Sequence, residues 1–200
     1  PNVVYENDGN GRFINRRTLH RGRGSTTMAL ADVTGNGALD LYVTNYKRKT
    51  VKDIFAPPER RFDNVVVQED GTYRVRDRFA EHYLVERQGN RLRRFERAEA
   101  DRIYFNDGTG QVEAQPWGEG FGEEGPPPRE RGLMARLEDV NGDGIADLYV
   151  CNDFQSPDFF YLGDGDGGFR SVGQEVLRTT SHSTMSVATT DLEGNGHVDL

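Results

Sequence analysis

Cysteine occurs once in the 200 residues, tryptophan once and methionine three times. A lone thiol, Cys151, cannot close a disulfide within the chain, and no Cys/His cluster has the spacing of a zinc site. Long apolar runs are missing: nothing approaches the ~20 residues of a membrane-spanning helix, which excludes such a helix. The opening residues carry neither the basic nor the apolar region of a secretion signal, so any such signal is expected outside this window. Positive charge falls short of negative, with 25 Lys and Arg against 33 Asp and Glu and a formal net charge of -8. That balance argues against general nucleic-acid binding. Leu, Ile, Val and Phe supply 45 of the 200 residues. This lies just above the ~20% below which disorder becomes the default, so one large or two small folded units are expected. What is abundant is glycine, 24 residues, and the glycines recur at fixed positions.

Three segments superimpose: Asp32-Val-Thr-Gly-Asn-Gly-Ala-Leu-Asp40, Asp139-Val-Asn-Gly-Asp-Gly-Ile-Ala-Asp147 and Asp191-Leu-Glu-Gly-Asn-Gly-His-Val-Asp199. Each is followed by Leu, and the first two run on as Leu41-Tyr-Val43 and Leu148-Tyr-Val150. A second element also recurs: Val4-Tyr-Glu-Asn-Asp-Gly-Asn-Gly-Arg-Phe13, Ile103-Tyr-Phe-Asn-Asp-Gly-Thr-Gly-Gln-Val112 and Phe160-Tyr-Leu-Gly-Asp-Gly-Asp-Gly-Gly-Phe169. The two alternate along the chain. Their flanks are β-branched and aromatic and too short for helices, so they read as strands. The Asp-Gly-x-Gly segments read as hairpin turns, because glycine supplies the positive φ such turns require. The unit is strand, acidic loop, strand, connector, strand, Asp-Gly turn, strand: one four-stranded antiparallel sheet of propeller-blade size.

Spacing gives the layout. Asp139 to Asp191 is 52 residues, one blade, whereas Asp32 to Asp139 is 107. The excess falls between the second and third strands of the first complete blade, where residues 47–102 carry neither motif. They read as an insertion rather than a degenerate blade. The chain opens on a third strand and stops where its sister copies have begun their second. A propeller closes with at least ~4 blades, so residues 1–200 are expected to be part of one larger propeller.

Each acidic loop places oxygen-bearing side chains at positions 1, 3, 5 and 9, with glycine at 6. Alternate oxygens on a tightly curled loop surround a hard cation, and position 7 adds a backbone carbonyl. The middle loop offers Asp139, Asn141, Asp143 and Asp147, with the carbonyl of Ile145. The third offers Asp191, Glu193, Asn195 and Asp199, with His197. The first offers Asp32, Thr34, Asn36 and Asp40, with Ala38; having two carboxylates, it is expected to be the weakest. Calcium suits flexible, oxygen-only loops better than magnesium. An EF-hand is excluded: its Glu at position 12 is replaced by Val43 and Val150, and a strand follows where it needs a helix. The competing reading is that Asx-Gly segments simply turn the chain, their side chains bonding their own backbone.

The Asp-x-Asn-Gly-Asp-Gly-x-x-Asp-Leu pattern resembles the FG-GAP/VCBS repeats of integrin α-subunit propellers and many bacterial secreted proteins. Asp147-Leu-Tyr-Val-Cys-Asn-Asp-Phe154 followed by Pro157-Asp-Phe-Phe-Tyr-Leu-Gly-Asp-Gly-Asp-Gly-Gly-Phe169 is similar to the cartilage acidic protein (ASPIC/UnbV-associated) group. The resemblance covers all but the insertion. It implies a seven-bladed β-propeller, calcium in the blade loops, and a secreted, extracellular or periplasmic setting. Thr34 and Glu193 depart from the pattern at ligand positions.

Residues 47–102 carry 15 basic and 11 acidic side chains, a basic excursion on an otherwise acidic body. They read as a solvated mixed-charge hairpin or as a surface for a polyanion or partner protein. The apolar spacing within 74–87 suits a helix, while Gln88-Gly-Asn90 suggests a hairpin turn. Gly125-Pro-Pro-Pro128 is a stiff spacer leading to a strand near Leu133. Trp117, Tyr104, Phe105, Phe160 and Tyr161 suit a core better than a sugar site. His20, His82, His182 and His197 sit in no catalytic signature, and neighbours in Ser181-His182-Ser183 point to opposite faces of an extended segment. Asp153 reads as a turn former or an extra calcium ligand, and Cys151 as a buried small apolar residue. The expected molecule is therefore all-β, a propeller of four-stranded antiparallel blades. Its expected function is that of a non-catalytic, calcium-binding scaffold for adhesion or for recognition of a protein or glycan. The propeller of an extracellular polysaccharide lyase or phospholipase-type hydrolase is the alternative, and a pure assembly module the third reading.

Overall fold

The computed structural model of the chain describes residues 1–115, 129–154, 156–177, 179–181 and 183–200. Strands β1 (Asn2–Asn7) and β2 (Phe13–His20) form a hairpin across an Asp-Gly turn. β3 (Ser25–Ala31) then runs through the first acidic loop into β4 (Asp40–Asn45). Next come two one-turn helices, α1 (Val51–Ile54) and α2 (Phe62–Val65), and two hairpins, β5 (Val66–Glu69) with β6 (Thr72–Val75) and β7 (Tyr83–Gln88) with β8 (Arg91–Glu96). β9 (Arg102–Asn106) and β10 (Val112–Ala114) return to β4, giving a four-stranded sheet in the order β10-β9-β4-β3. A second four-stranded sheet, β11 (Gly132–Glu138), β12 (Asp147–Asn152), β13 (Phe159–Gly163) and β14 (Phe169–Ser171), is followed by the single turn α3 (Gly173–Val176). All strand pairings among the described residues are antiparallel.

The all-β blade architecture of the sequence reading is thus realised twice, in the same register. Leu41 faces Tyr104 and Tyr42 faces Ile103 in the first sheet; Leu148 faces Tyr161 and Tyr149 faces Phe160 in the second. β4 and β12 are buried along their whole length because both faces are covered. Period-2 alternation sorts their side chains between neighbours. Tyr42 joins Leu148, Val150 and Tyr161 in a core shared by the two sheets. Leu41 and Val43 point the other way, toward Leu19 of β2. In the second sheet Tyr149 and Cys151 pack toward Val187 of the segment leading to the third acidic loop. The molecule is therefore a stack: hairpin β1–β2, first sheet, second sheet, then residues 184–200.

Residues between β4 and β9 have a core of their own, Val51, Phe55, Val65, Val66, Phe79 and Tyr83. The expected turn at Gln88-Gly-Asn90 is present, with Gly89 at φ 58°. The helical spacing within 74–87 is not used as a helix. That stretch holds the end of β6, a 3₁₀ turn at Asp77–Phe79 and the start of β7. Phe79 and Tyr83 reach one core from a turn and a strand, so pairing with β8 overrides local periodicity. Gly125–Pro128 and Trp117 lie outside the described residues.

Candidate functional site

The three acidic loops fold alike because the same positions make the same bonds. At position 1, Asp32 accepts from the amides of Asn36 (3.2 Å) and Gly37 (2.8 Å). Asp139 accepts from those of Gly142, Asp143 and Gly144, and Asp191 from Asn195 and Gly196. At position 5, Asn36, Asp143 and Asn195 each accept from the amide two residues on, that of Ala38, Ile145 and His197, at 2.8 Å. The position-6 glycines, such as Gly144 at φ 85°, close the curl.

Position 9 does something different. Asp40 and Asp147 are buried, and each ties its loop to another strand. Asp40 Oδ2 accepts from the amides of Val33 (2.9 Å) and Thr34 (3.2 Å), and its Oδ1 from the amide of Asn106 at the end of β9 (2.8 Å). Asp147 accepts in the same way from Val140, Asn141 and, at the end of β13, Gly163 (3.0 Å). Burial pushes the Asp147 carboxyl above the ordinary range, the amides of Gly163, Val140 and Asn141 pull it back, and the charge of Asp143 adds to the rise. In the third loop Asp199 accepts from the amide of Leu192 and bridges to Thr190.

The side chains thus serve the backbone, as the Asx-turn reading expects. Among the described residues no group of three or more His, Cys, Asp or Glu side chains gathers closely enough to hold a metal ion. What the middle loop offers a cation is donor chemistry. Asp139, Asn141 and Asp143 can each ligate through a side-chain oxygen, and neither carboxylate is in an ion pair among the described residues. Asn141 Nδ2 donates to Asp143 Oδ2 at 2.8 Å, a bond an ion would displace. The first loop fits less well, since the Thr34 hydroxyl is committed to Asp40 (3.1 Å). In the third, Glu193 accepts from Asn195 Nδ2.

A second pair of carboxylates, Asp158 buried and Asp101 half-buried, escaped the sequence reading. Asp101 accepts from the amide of Asn45 (2.7 Å) and the hydroxyl of Tyr42 (3.0 Å), while Asn45 Nδ2 donates to Ala100 O. Asp158 repeats this with Asn152 (2.8 Å), Tyr149 (2.9 Å) and Pro157 O. The signal was legible: Tyr-x-x-Asn ends both second strands, and an Asp stands three residues before Tyr104 and Tyr161. These carboxylates clamp the end of one strand to the start of the next. The copies differ at the neighbouring sheet. Thr184 donates its hydroxyl to Asp158 (2.6 Å), whereas Gly132 faces Asp101 and leaves only 3.1 Å for a Cβ. Gly132 also pairs with Asn152 where Ser25 pairs with Asn45. Ser25 donates to Asn45 Oδ1, and the buried Asn152 Oδ1 has no partner among the described residues. Burial raises the Asp101 carboxyl to about 7, opposed by the Asn45 and Tyr42 donors and helped by the charge of Glu130.

The remaining candidates take structural places. Tyr104, Phe160 and Tyr161 are buried in the cores and Phe105 packs against one of them. Cys151 is buried and its thiol is pushed up to about 12 by burial, which suppresses thiolate chemistry. Asp153 Oδ1 accepts from the amide of Phe154, whose φ is 68°, and its Oδ2 from the Tyr46 hydroxyl. His182 lies outside the described residues. His20 Nε2 comes within 3.2 Å of Ser25 Oγ, but that hydroxyl is already used, donating to Asn45 and accepting from Asn2. A family model for the FG-GAP-like repeat matches residues 139–200, which take in the second and third acidic loops and strands β12 to β14. No curated protein matches the chain.

Proposed function

We propose that the chain is a non-catalytic recognition scaffold, part of a secreted or periplasmic propeller related to the cartilage acidic protein group, that presents blade loops to a protein or glycan. The observation that carries this reading is the repeated blade: two sheets with one register and one loop chemistry, the second overlapping the FG-GAP-like match. Stacked sheets of this kind hold loops rigidly, which suits binding without chemistry. The test is an array of neutral glycans, acidic glycans and extracellular proteins probed with the full chain. Saturable binding of at least one class is expected, and its absence from every class removes the reading.

Calcium belongs to the same proposal. Asp139, Asn141 and Asp143, with the Ile145 carbonyl, supply the donors the ion would use first, and Asp147 would join them by giving up one of its amide bonds. Its charge would offset carboxylates that have no ion-pair partner among the described residues, tightening the turn into β12. Addition of calcium is expected to raise Tm, with an affinity on the order of 10⁻⁴–10⁻³ M, and magnesium to leave it unchanged. Asp143→Asn should abolish the rise. A melt indifferent to calcium, magnesium and EDTA removes calcium and leaves the scaffold reading to the array.

A further inference from the structure

A cleft of about 250 Å³ is lined by residues of the segment inserted after β4 together with Gly22, which precedes β3, and Arg129, which precedes β11. Lys47, Arg48, Lys49, Arg97 and Arg129 line it. Its acids are largely spent: Glu96 is paired with Lys47 and with Arg131 (3.5 Å), and Glu99 with Arg23 (3.4 Å). Glu81 is the remaining acidic wall residue. Arg48, Lys49, Arg97 and Arg129 therefore have no ion-pair partner among the described residues. Two of them are held in place. Arg97 donates from Nε to Tyr83 O (3.3 Å) and Arg129 from Nε to Ala98 O (2.8 Å), with no other side-chain hydrogen bond to either guanidinium among the described residues. The crowding is felt by Lys47, whose ammonium is held below its ordinary range chiefly by burial, with Arg131 and Arg129 repelling it and Glu96 opposing.

We infer that this cleft is an oxyanion site that takes a sulfate ester of an acidic glycan. Anchored guanidinium forks bind sulfate and carboxylate oxygens in pairs, which an ammonium cannot do. The volume is below the ~300–1,000 Å³ of sites for drug-sized ligands, so it admits one charged group with part of a sugar ring. His82, fixed edge-on to Phe55 at 5.3 Å, and Ile54 supply the less polar wall. Residues 47–102 carry an excess of four positive charges and the rest of the chain an excess of twelve negative ones. A polyanion is thus repelled by the blades and admitted here. The inference rests on the recognition reading and names the ligand class for it.

Calorimetric titration of the full chain with a sulfated uronate–hexosamine oligosaccharide tests it, alongside the desulfated oligosaccharide, inorganic sulfate and an Asp/Glu-rich peptide. The sulfated sugar is expected to bind, more weakly as salt rises, with the desulfated sugar and free sulfate each weaker. Arg97→Gln with Arg129→Gln should weaken binding by at least ~10-fold, since each removes charged hydrogen bonds. Arg91→Gln with Arg93→Gln, on the exposed side of β8, should change it by less than about twofold. Arg97→Lys with Arg129→Lys, which keeps the charge, should lose part of the affinity, and near-UV circular dichroism checks that each variant folds. Equal weakening by both Gln pairs overturns the site, and so does tighter binding of the peptide. Neutral glycans or proteins that bind while sulfated ones do not would overturn the cleft and leave the scaffold standing; no ligand of any class removes both.

Discussion

Chemically similar aspartates carry different loads. Asp147 satisfies three amides from a buried position, so Asp147→Ala should cost about 2–4 kcal/mol, the penalty of leaving buried donors unpaired. Asp166, exposed at a turn, should tolerate the same change within about 0.5 kcal/mol. Urea midpoints at constant slope measure both, and equal losses would show that position 9 is no clamp. Asp101 gives a pH dependence. Its carboxyl is raised to about 7 in the fold, against about 3.9 in an unfolded chain. The folded state therefore binds the extra proton, and this contribution is full below about pH 4 and is lost as pH rises to about 7. Stability of the wild type relative to Asp101→Asn should decline between pH 5 and 7; a flat difference would mean that Asp101 does not titrate there.

At the scale of elements, the Asp-Gly-x-Gly turns look interchangeable in sequence and are not so in space. Gly110 has φ 81° and open surroundings, so Gly110→Ala should cost about 1 kcal/mol of backbone strain. Gly167 has φ 87°, leaves only 2.6 Å between a Cβ and the Phe105 ring, and donates its amide to Val33 O in the first acidic loop (2.8 Å). Gly167→Ala should cost about 2–4 kcal/mol, since strain and overpacking add. Thermal melts of the two variants decide it. The hairpin β7–β8 was legible from its Gly-Asn turn, a local signal. The preceding stretch was not, because its apolar spacing matched a helix while the contacts that decide it come from β8 and α1.

For the whole molecule, a core between β4 and β9 that shares no residue with the cores of the blade sheets predicts two stabilities. Phe79→Ala should cost about 3–5 kcal/mol within the unit of α1 to β8, where Phe79 packs on Phe55 at 4.9 Å. Hydrogen exchange should then quicken across β5 to β8 and stay slow in β4 and β12. Uniform loss of protection would mean that the unit and the sheets unfold together.

The sequence by itself determined the repeated unit, the antiparallel strands around each loop, and the turn glycines, because those bonds join residues within about twenty positions of one another. It also held the Tyr-x-x-Asn and Asp signals of the second clamp, which went unseen beside the denser glycine pattern. Tertiary structure alone decided which aspartates are buried, which turn glycine meets a neighbouring ring, and why Asn152 lacks the donor that Asn45 has. It alone also brought Arg48, Arg97 and Arg129 to one cleft. Each of these depends on how one sheet stacks on the next and where the chain returns after β4, distances that no local pattern encodes.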